Sequence, residues 1–349
     1  MKATTIGFDL AKNEFQVHGV DAAGKAVVRK QLRRAQVLPF FARLSACTIG
    51  IEACGSAHHW ARKLTELGHT AKLMAPHFVK PYVKANKTDA ADAEAICEAV
   101  ARPNMRFVPV KSVEQQAILA VHRVRSGLVA ERTAQLNRLR ALLAEFGLIA
   151  PRGRRALMER LPVLLADETL PGVARNLFER QSTRIRQLEA EITAEEAVIL
   201  DWHRNNELSK RLDAVAGVGP ITATALVASF GEGREFDNGR QMAACLGLVP
   251  RQHSSGGKTR LLGISKRGDG YLRMLLIHGA RAVIRTLERR AKGASNPTDQ
   301  WLAKLLARRN PNVAAVALAN KTVRVIWALL AHGRTYDRNW SGQRAAAAA

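Results

Sequence analysis

The sequence predicts an α/β N-terminal domain, a long helical middle and a mainly α C-terminal domain. Three observations carry that division. Short apolar runs alternate with helical runs up to residue 105, residues 106–210 read as helix almost throughout, and within residues 211–336 glycines return amid a dense set of arginines and lysines. Residues 337–349 form a tail, and its alanines at 345–349 inform nothing.

Taken in order, residues 4–10 (TTIGFDL), 14–20 (EFQVHGV) and 26–32 (AVVRKQL) are three short strands, with the clearest turn at 21–24. They read as an antiparallel meander. A helical run over 38–44 precedes a strand at 47–53 (CTIGIEA), then a helix at 57–67, a strand at 70–74 and a helix at 89–100. The order βββαβαβα outlines an RNase H-like fold. In the middle region Phe178, Ile185, Leu188, Ile192, Ile199 and Trp202 follow a seven-residue repeat interrupted by Gln181 and Glu195, which predicts a coiled coil or helical hairpin and, with it, self-association. The run AVAGVGPITATALVASFG resembles a helix-hairpin-helix, whose glycines, here Gly217 and Gly219, let backbone N–H groups approach a phosphate. Residues 247–285 form a glycine- and basic-rich loop leading into a helix, and an amphipathic helix over 312–330 closes the region.

Charge restricts the partners. The 54 Lys and Arg against 30 Asp and Glu give a net +24, a field suited to a polyanion, and nucleic acid is preferred over a membrane surface because the basic residues are spread over many segments. Their densest stretch begins at Arg251 and includes Lys258, Arg260, Lys266, Arg267, Arg273 and Lys292, against only Asp269 and Glu288. Aromatic residues make up 5%, too few for a surface that stacks single-stranded bases. No window reads as a bilayer span and the N-terminus has no secretory pattern, so a soluble intracellular protein is expected. Cys47, Cys54, Cys97 and Cys245 show no zinc spacing and are expected as reduced, mostly buried thiols.

Two constellations could carry chemistry. Asp9 ends the first strand, and in an RNase H-like sheet Glu52 ends its neighbour, while Asp89 and Asp92 in NKTDAADAEAI arrive from the following helix. Singly, each acid is an ordinary strand-end, surface or helix-capping residue. Together, four converging carboxylates repel unless they hold divalent cations, and hard oxygen donors of this kind suit magnesium or manganese. Two such ions can clamp both oxygens of a phosphodiester during displacement. Lys87 beside them reads as a phosphate contact or a counter-charge. The second constellation is Ser254 and Ser255 before Gly256 and Gly257. Serine there is ordinarily turn chemistry, and no triad partner beyond His253 is evident, yet Arg251, Lys258 and Arg260 surround it with the charge a scissile phosphate requires.

GFDLAKNEFQVHGVD, GIEACGSAHHWARKL, NKTDAADAEAI, VAGVGPITATAL and LGLVPRQHSSGGKTRLLGISKRGDGYLR together resemble the insertion sequence 110 family of transposases, specifically its eleven-eleven subgroup, which is related to the Piv-type DNA invertases. The resemblance implies a RuvC-like domain whose DEDD tetrad falls on Asp9, Glu52, Asp89 and Asp92. It also implies a C-terminal transposase domain whose nucleophilic serine falls on Ser255, by the Ser-Gly step of HSSGG. The implied partners are target and donor double-stranded DNA, an element-encoded guide RNA, and further copies of the chain in a dimer or tetramer. The implied reaction is recombination: metal on the tetrad polarises the scissile phosphate and Ser255 attacks it through a transient phosphoserine link. The competing readings are a structure-specific nuclease of the Holliday-junction type, which needs no serine, and a non-catalytic nucleic-acid-binding protein. An actin-like ATPase, suggested by GFDLAK, lacks a second phosphate loop.

Overall fold

The computed structural model describes residues 2–84, 88–290 and 296–339, so Lys87, Lys292 and the alanines of the tail lie outside the described residues. The chain forms two compact units, Met1–Glu114 and Gln115–Ala349.

In the first unit the expected strands and helices form as β1 (Thr5–Asp9), β2 (Glu14–Val20), β3 (Ala26–Arg33), α1 (Val37–Ala42), β4 (Thr48–Glu52), α2 (Ala57–Glu66) and β5 (Thr70–Met74). A one-turn helix α3 (Pro76–Val79), then α4 (Asp89–Val100) and a two-residue strand β6 (Phe107–Val108) complete it. Both α3 and β6 are too short to leave a periodic signal. The sheet order is β3-β2-β1-β4-β5-β6, with β1 parallel to β4, β4 parallel to β5 and the other pairs antiparallel. This mixed sheet with its helices is compatible with an RNase H-like fold.

Strand alternation gives the sheet two unlike faces. Ile6, Phe8, Ile49 and Ile51 share a core with Phe41 of α1 and Trp60 of α2, where Phe8 meets Phe41 edge-on at 5.1 Å between ring centroids. On the opposite face stand Gly7 and Gly50, paired in register, and α4 lies directly on them. A Cβ on Gly7 would come within 2.0 Å of the Ala93 carbonyl oxygen and 2.4 Å of the Cys97 nitrogen, and one on Gly50 within 2.7 Å of Val100 Cβ. Backbone therefore packs on backbone. Gly7→Ala is expected to cost about 3 kcal/mol or more, because the clash is with main chain that cannot rotate away. Gly55→Ala, which meets nothing within 4 Å, is expected to shift stability by no more than about 0.5 kcal/mol. Thermal unfolding of the two variants checks the contrast.

The second unit begins with most of the long helix α5 (Val113–Glu145), followed by α6 (Arg154–Leu165) and α7 (Gly172–Arg204). The seven-residue repeat is filled from within the chain. Phe178 and Ile185 of α7 bury against Leu136, Leu139 and Leu143 of α5 and Leu157, Leu161 and Leu164 of α6. Arg184 meets Glu131 at 2.9 Å and Arg154 meets Glu189 at 2.6 Å across the same bundle. The pattern is thus a helical hairpin of one chain, and the 178–199 seam is not a free surface.

Next come α8 (Glu207–Leu212), α9 (Pro220–Phe230), α10 (Gly239–Cys245), strands β7 (Pro250–Ser255) and β8 (Lys258–Ile264), α11 (Gly270–Arg289), α12 (Pro297–Leu306) and α13 (Pro311–Ala331). Their core joins Leu226, Met242, Leu272, Leu276, Ala315, Ala319, Val323 and Ile326. The bilayer expectation needs correction here: α13 is long and apolar enough to cross a membrane by length and composition. Half of its apolar window is buried inside this unit, as befits a core helix. The cysteine expectation also changes, since Cys47 and Cys97 are buried but Cys54 and Cys245 are exposed.

Candidate active site

The acidic site follows from the glycine groove. Asp9 lies two residues beyond Gly7 and Glu52 two beyond Gly50, so both acids stand on the α4 face at the ends of adjacent parallel strands. Seating α4 on the glycines brings its first turn to that edge. Oxygens of Asp9, Asp89 and Asp92 lie within 4.8 Å of one another. Glu52 does not join that group among the described residues, but its charge reaches Asp9. The Asp9 carboxyl is pushed up to about 6 by burial first, then by the charges of Asp92, Asp89 and Glu52. The helix cap is Thr88, not Asp89: its Oγ1 accepts from the Ala91 N–H at 3.2 Å, which leaves both aspartates as first-turn acids near the positive end of the helix. The sequence reasoning missed Gly7 and Gly50. Their signal was the repeated pentapeptide, TIGFD in β1 and TIGIE in β4, whose first four positions pair residue for residue.

In the second unit the expected basic loop is a β-hairpin closed by Gly256 and Gly257, with φ of +55° and +76°. Its register pairs Ser255 with Lys258 and His253 with Arg260, which places these four on one face. Ser254 pairs with Thr259 on the other face and accepts a hydrogen bond from Gln252 Nε2 at 2.8 Å. All of these side chains are exposed.

The base of the hairpin is tightly clasped, which the sequence did not suggest. Gly247 and Gly268 are both at positive φ. A Cβ on Gly268 would lie 1.8 Å from the carbonyl oxygen of Cys245, and one on Gly247 would lie 2.3 Å from that of Arg267. Arg273 Nη1 donates to the carbonyls of Leu246 at 3.0 Å and Arg267 at 2.9 Å, so this arginine holds the loop together. Arg251, Lys266 and Arg267 are exposed, and Lys266 adopts a left-handed φ of +54°. In the turn between α8 and α9, Gly217 (φ +83°) touches the backbone of Gly279 on α11, whereas Gly219 faces open space. Gly217 is therefore needed for packing whatever else the turn contacts.

The first unit thus gathers acids at one edge of a mixed sheet, and the second presents a basic hairpin that carries two serines. Residues 6–147 match the DEDD model of IS110 elements, described as "Transposase", and residues 209–294 match the "Transposase IS116/IS110/IS902 family" model. A "Probable family 20 transposase" of Pseudomonas aeruginosa is 56% identical over 96% of this chain and 99% of its own length. The chain belongs to the IS110 family of transposases. As such, the transposase cleaves and rejoins DNA. It is 43% identical to the "Transposase for insertion sequence element IS1111A" of Coxiella burnetii, over 95% of this chain and 90% of that one. It is 40% identical to the "Transposase for insertion sequence element IS1328" of Yersinia enterocolitica, over 96% and 99%. The transposase's acidic site fits divalent-metal use: hard carboxylate oxygens converge, and a cation would relieve the repulsion that adds to burial in raising Asp9.

Proposed function

We propose that the transposase moves its insertion sequence with two chemical groups, the acids Asp9, Glu52, Asp89 and Asp92 and the hydroxyl of Ser255, directed by an element-encoded guide RNA. The observation that carries the reading is the convergence of Asp9, Asp89 and Asp92 within 4.8 Å at the edge of a mixed sheet. Magnesium, or manganese in its place, bound by these carboxylates supplies polarisation of a phosphate oxygen. Ser255 Oγ forms a bond to phosphorus as the ester bond to the departing strand end breaks, and the serine proton ends on the released hydroxyl. Attack by another strand's hydroxyl reverses the step, so the phosphoserine link conserves the energy needed to rejoin. Lys258 and Arg260, on the Ser255 face, offset the charge that gathers on the phosphate.

The remaining roles follow the charge. Arg251, Lys266 and Arg267 contact nucleic-acid phosphates, and the turn at Gly217 and Gly219 serves as a helix-hairpin-helix on the duplex. A net charge of +24 supports two polyanionic partners, DNA and RNA, in a cytoplasmic, nucleoid-bound protein. Residues 1–105, 106–210 and 211–336 act as the acidic, helical and serine-bearing regions. Assembly as a dimer or tetramer uses a surface other than the filled 178–199 seam.

The test is to incubate the transposase with donor and target DNA, guide RNA and magnesium, quench in detergent, and map any protein–DNA adduct by peptide mass spectrometry. The expected result is a nucleotide remnant on Ser255 that needs the RNA. Cut DNA with free ends and no adduct would instead identify a hydrolytic nuclease, and an adduct formed equally without RNA would remove the guide from the reading.

A further inference from the structure

The helical hairpin buries ionisable side chains that the chemistry above does not use, and one of them reaches toward the serine hairpin. His122 of α5 is 1% exposed and bonded at both ring nitrogens, Nδ1 to Tyr271 Oη and Nε2 to Thr224 Oγ1, each at 3.0 Å. The direction of these bonds can be deduced. Thr224 Oγ1 already donates to the Pro220 carbonyl at 2.7 Å, so it accepts from His122 Nε2–H. Nδ1 is then the acceptor for the Tyr271 hydroxyl, which lies within reach of the Arg125 charge. Arg125 Nε is itself held by Glu196 of α7 at 2.9 Å. Burial, and then the charge of Arg125, push His122 down to about 4, which agrees with a neutral imidazole.

The ends of this network matter. Pro220 opens α9 directly after the Gly217–Gly219 turn, and Tyr271 lies in the first turn of α11, just after the loop that clasps the serine hairpin. That loop is joined to the hairpin base by Ser265 N–H donating to the Val249 carbonyl at 2.8 Å and Lys266 N–H to that of Gly247 at 3.1 Å. One side chain on α5 is thus bonded to the first turn of α11 and to Thr224 of α9, whose hydroxyl reaches back to the Pro220 carbonyl at the start of that helix. We propose that His122 is a positioning residue for strand exchange, holding the serine hairpin and the glycine turn in one fixed relation through Tyr271 and Thr224. This inference rests on the reading of Ser255 as the nucleophile. Buried networks in which every member is satisfied hold geometry tightly, and a displacement of about 1 Å at a reacting group costs on the order of 100-fold in rate.

The experiment measures strand exchange by the full transposase at saturating DNA and guide RNA for His122→Leu, His122→Asn, Tyr271→Phe and the His122→Leu/Tyr271→Phe pair, with DNA affinity measured alongside. Expected are losses of about 10- to 100-fold in rate for His122→Leu and Tyr271→Phe, with affinity changed by no more than about twofold. The double variant should be no slower than His122→Leu, since the bond lost in Tyr271→Phe is already lost with the imidazole. His122→Asn, whose amide oxygen stands where Nδ1 accepts, should recover most of the rate. Tyr271→Phe opens no cavity and keeps the test valid if His122→Leu fails to fold. Wild-type rates in Tyr271→Phe, losses that multiply in the pair, or a loss confined to affinity would overturn the inference. Ser255→Ala run in parallel separates the two readings: if it still recombines, the nucleophile assignment fails, and if it is dead while Tyr271→Phe is unimpaired, only the positioning role fails.

Discussion

Ser255→Ala transposase is expected to bind DNA as the wild type does and to rejoin none of it, while Ser254→Ala keeps most of its activity. The two serines are neighbours, but strand alternation sends them to opposite faces of the β7–β8 hairpin. Ser255 shares its face with Lys258, His253 and Arg260, where a phosphate would meet positive charge; Ser254 faces Thr259 and is occupied with Gln252. Losing a nucleophile costs about four to six orders of magnitude in turnover, whereas losing a hydroxyl outside the chemistry costs about tenfold or less. Strand-exchange rates and DNA-binding curves for the two variants decide the matter. Equal loss in both, or full activity in Ser255→Ala, would count against the assignment.

Asp9→Asn is expected to do two opposite things: raise the stability of the metal-free protein and abolish recombination. Asp9 is held up at about 6, so near pH 7 it is ionised in the fold at a cost that the unfolded chain, where it titrates near 3.8, does not bear. A neutral amide of the same shape removes that cost. Because the site is partly open to solvent, the gain is about 1 kcal/mol after allowing for screening, or about 4 °C in the melting temperature of a domain of this size. The wild type should gain stability on addition of magnesium or manganese through differential binding to the folded state, and the variant should gain little. Melting curves with and without the cation, set beside recombination rates, test both halves. A variant that melts lower than wild type without metal would show that Asp9 is not under electrostatic strain.

The first unit was largely legible because its signals are local and strong. Apolar runs bounded by turn residues marked five strands within a residue or two of where they form, and their order implied which strand ends would be neighbours. That adjacency is what allowed Asp9, Glu52, Asp89 and Asp92 to be grouped from sequence alone. The seating of α4 was not legible. Gly7 and Gly50 matter through close approach to another element, a property that neither propensity nor periodicity encodes. The hairpin was read as a loop because glycine, serine and basic residues dominate it, although its exposed strands need no apolar alternation. His122 was invisible for a related reason: both of its partners lie about a hundred residues or more away in sequence. The repeat in α7 was legible as a seam, but periodicity cannot say whose side chains fill it.

The glycine groove beneath α4 also bears on how copies of an element decay. Copies of an insertion sequence that are no longer selected accumulate substitutions, and a change at a glycine leaves the acids of the sequence intact. Here the spacing between Asp9 and the pair on α4 is set by main chain resting on main chain at Gly7, with no flexible side chain between to absorb an error. A copy that keeps every carboxylate but has gained a single methyl group at that position is expected to hold its acids in a different place, a change recognisable from one codon.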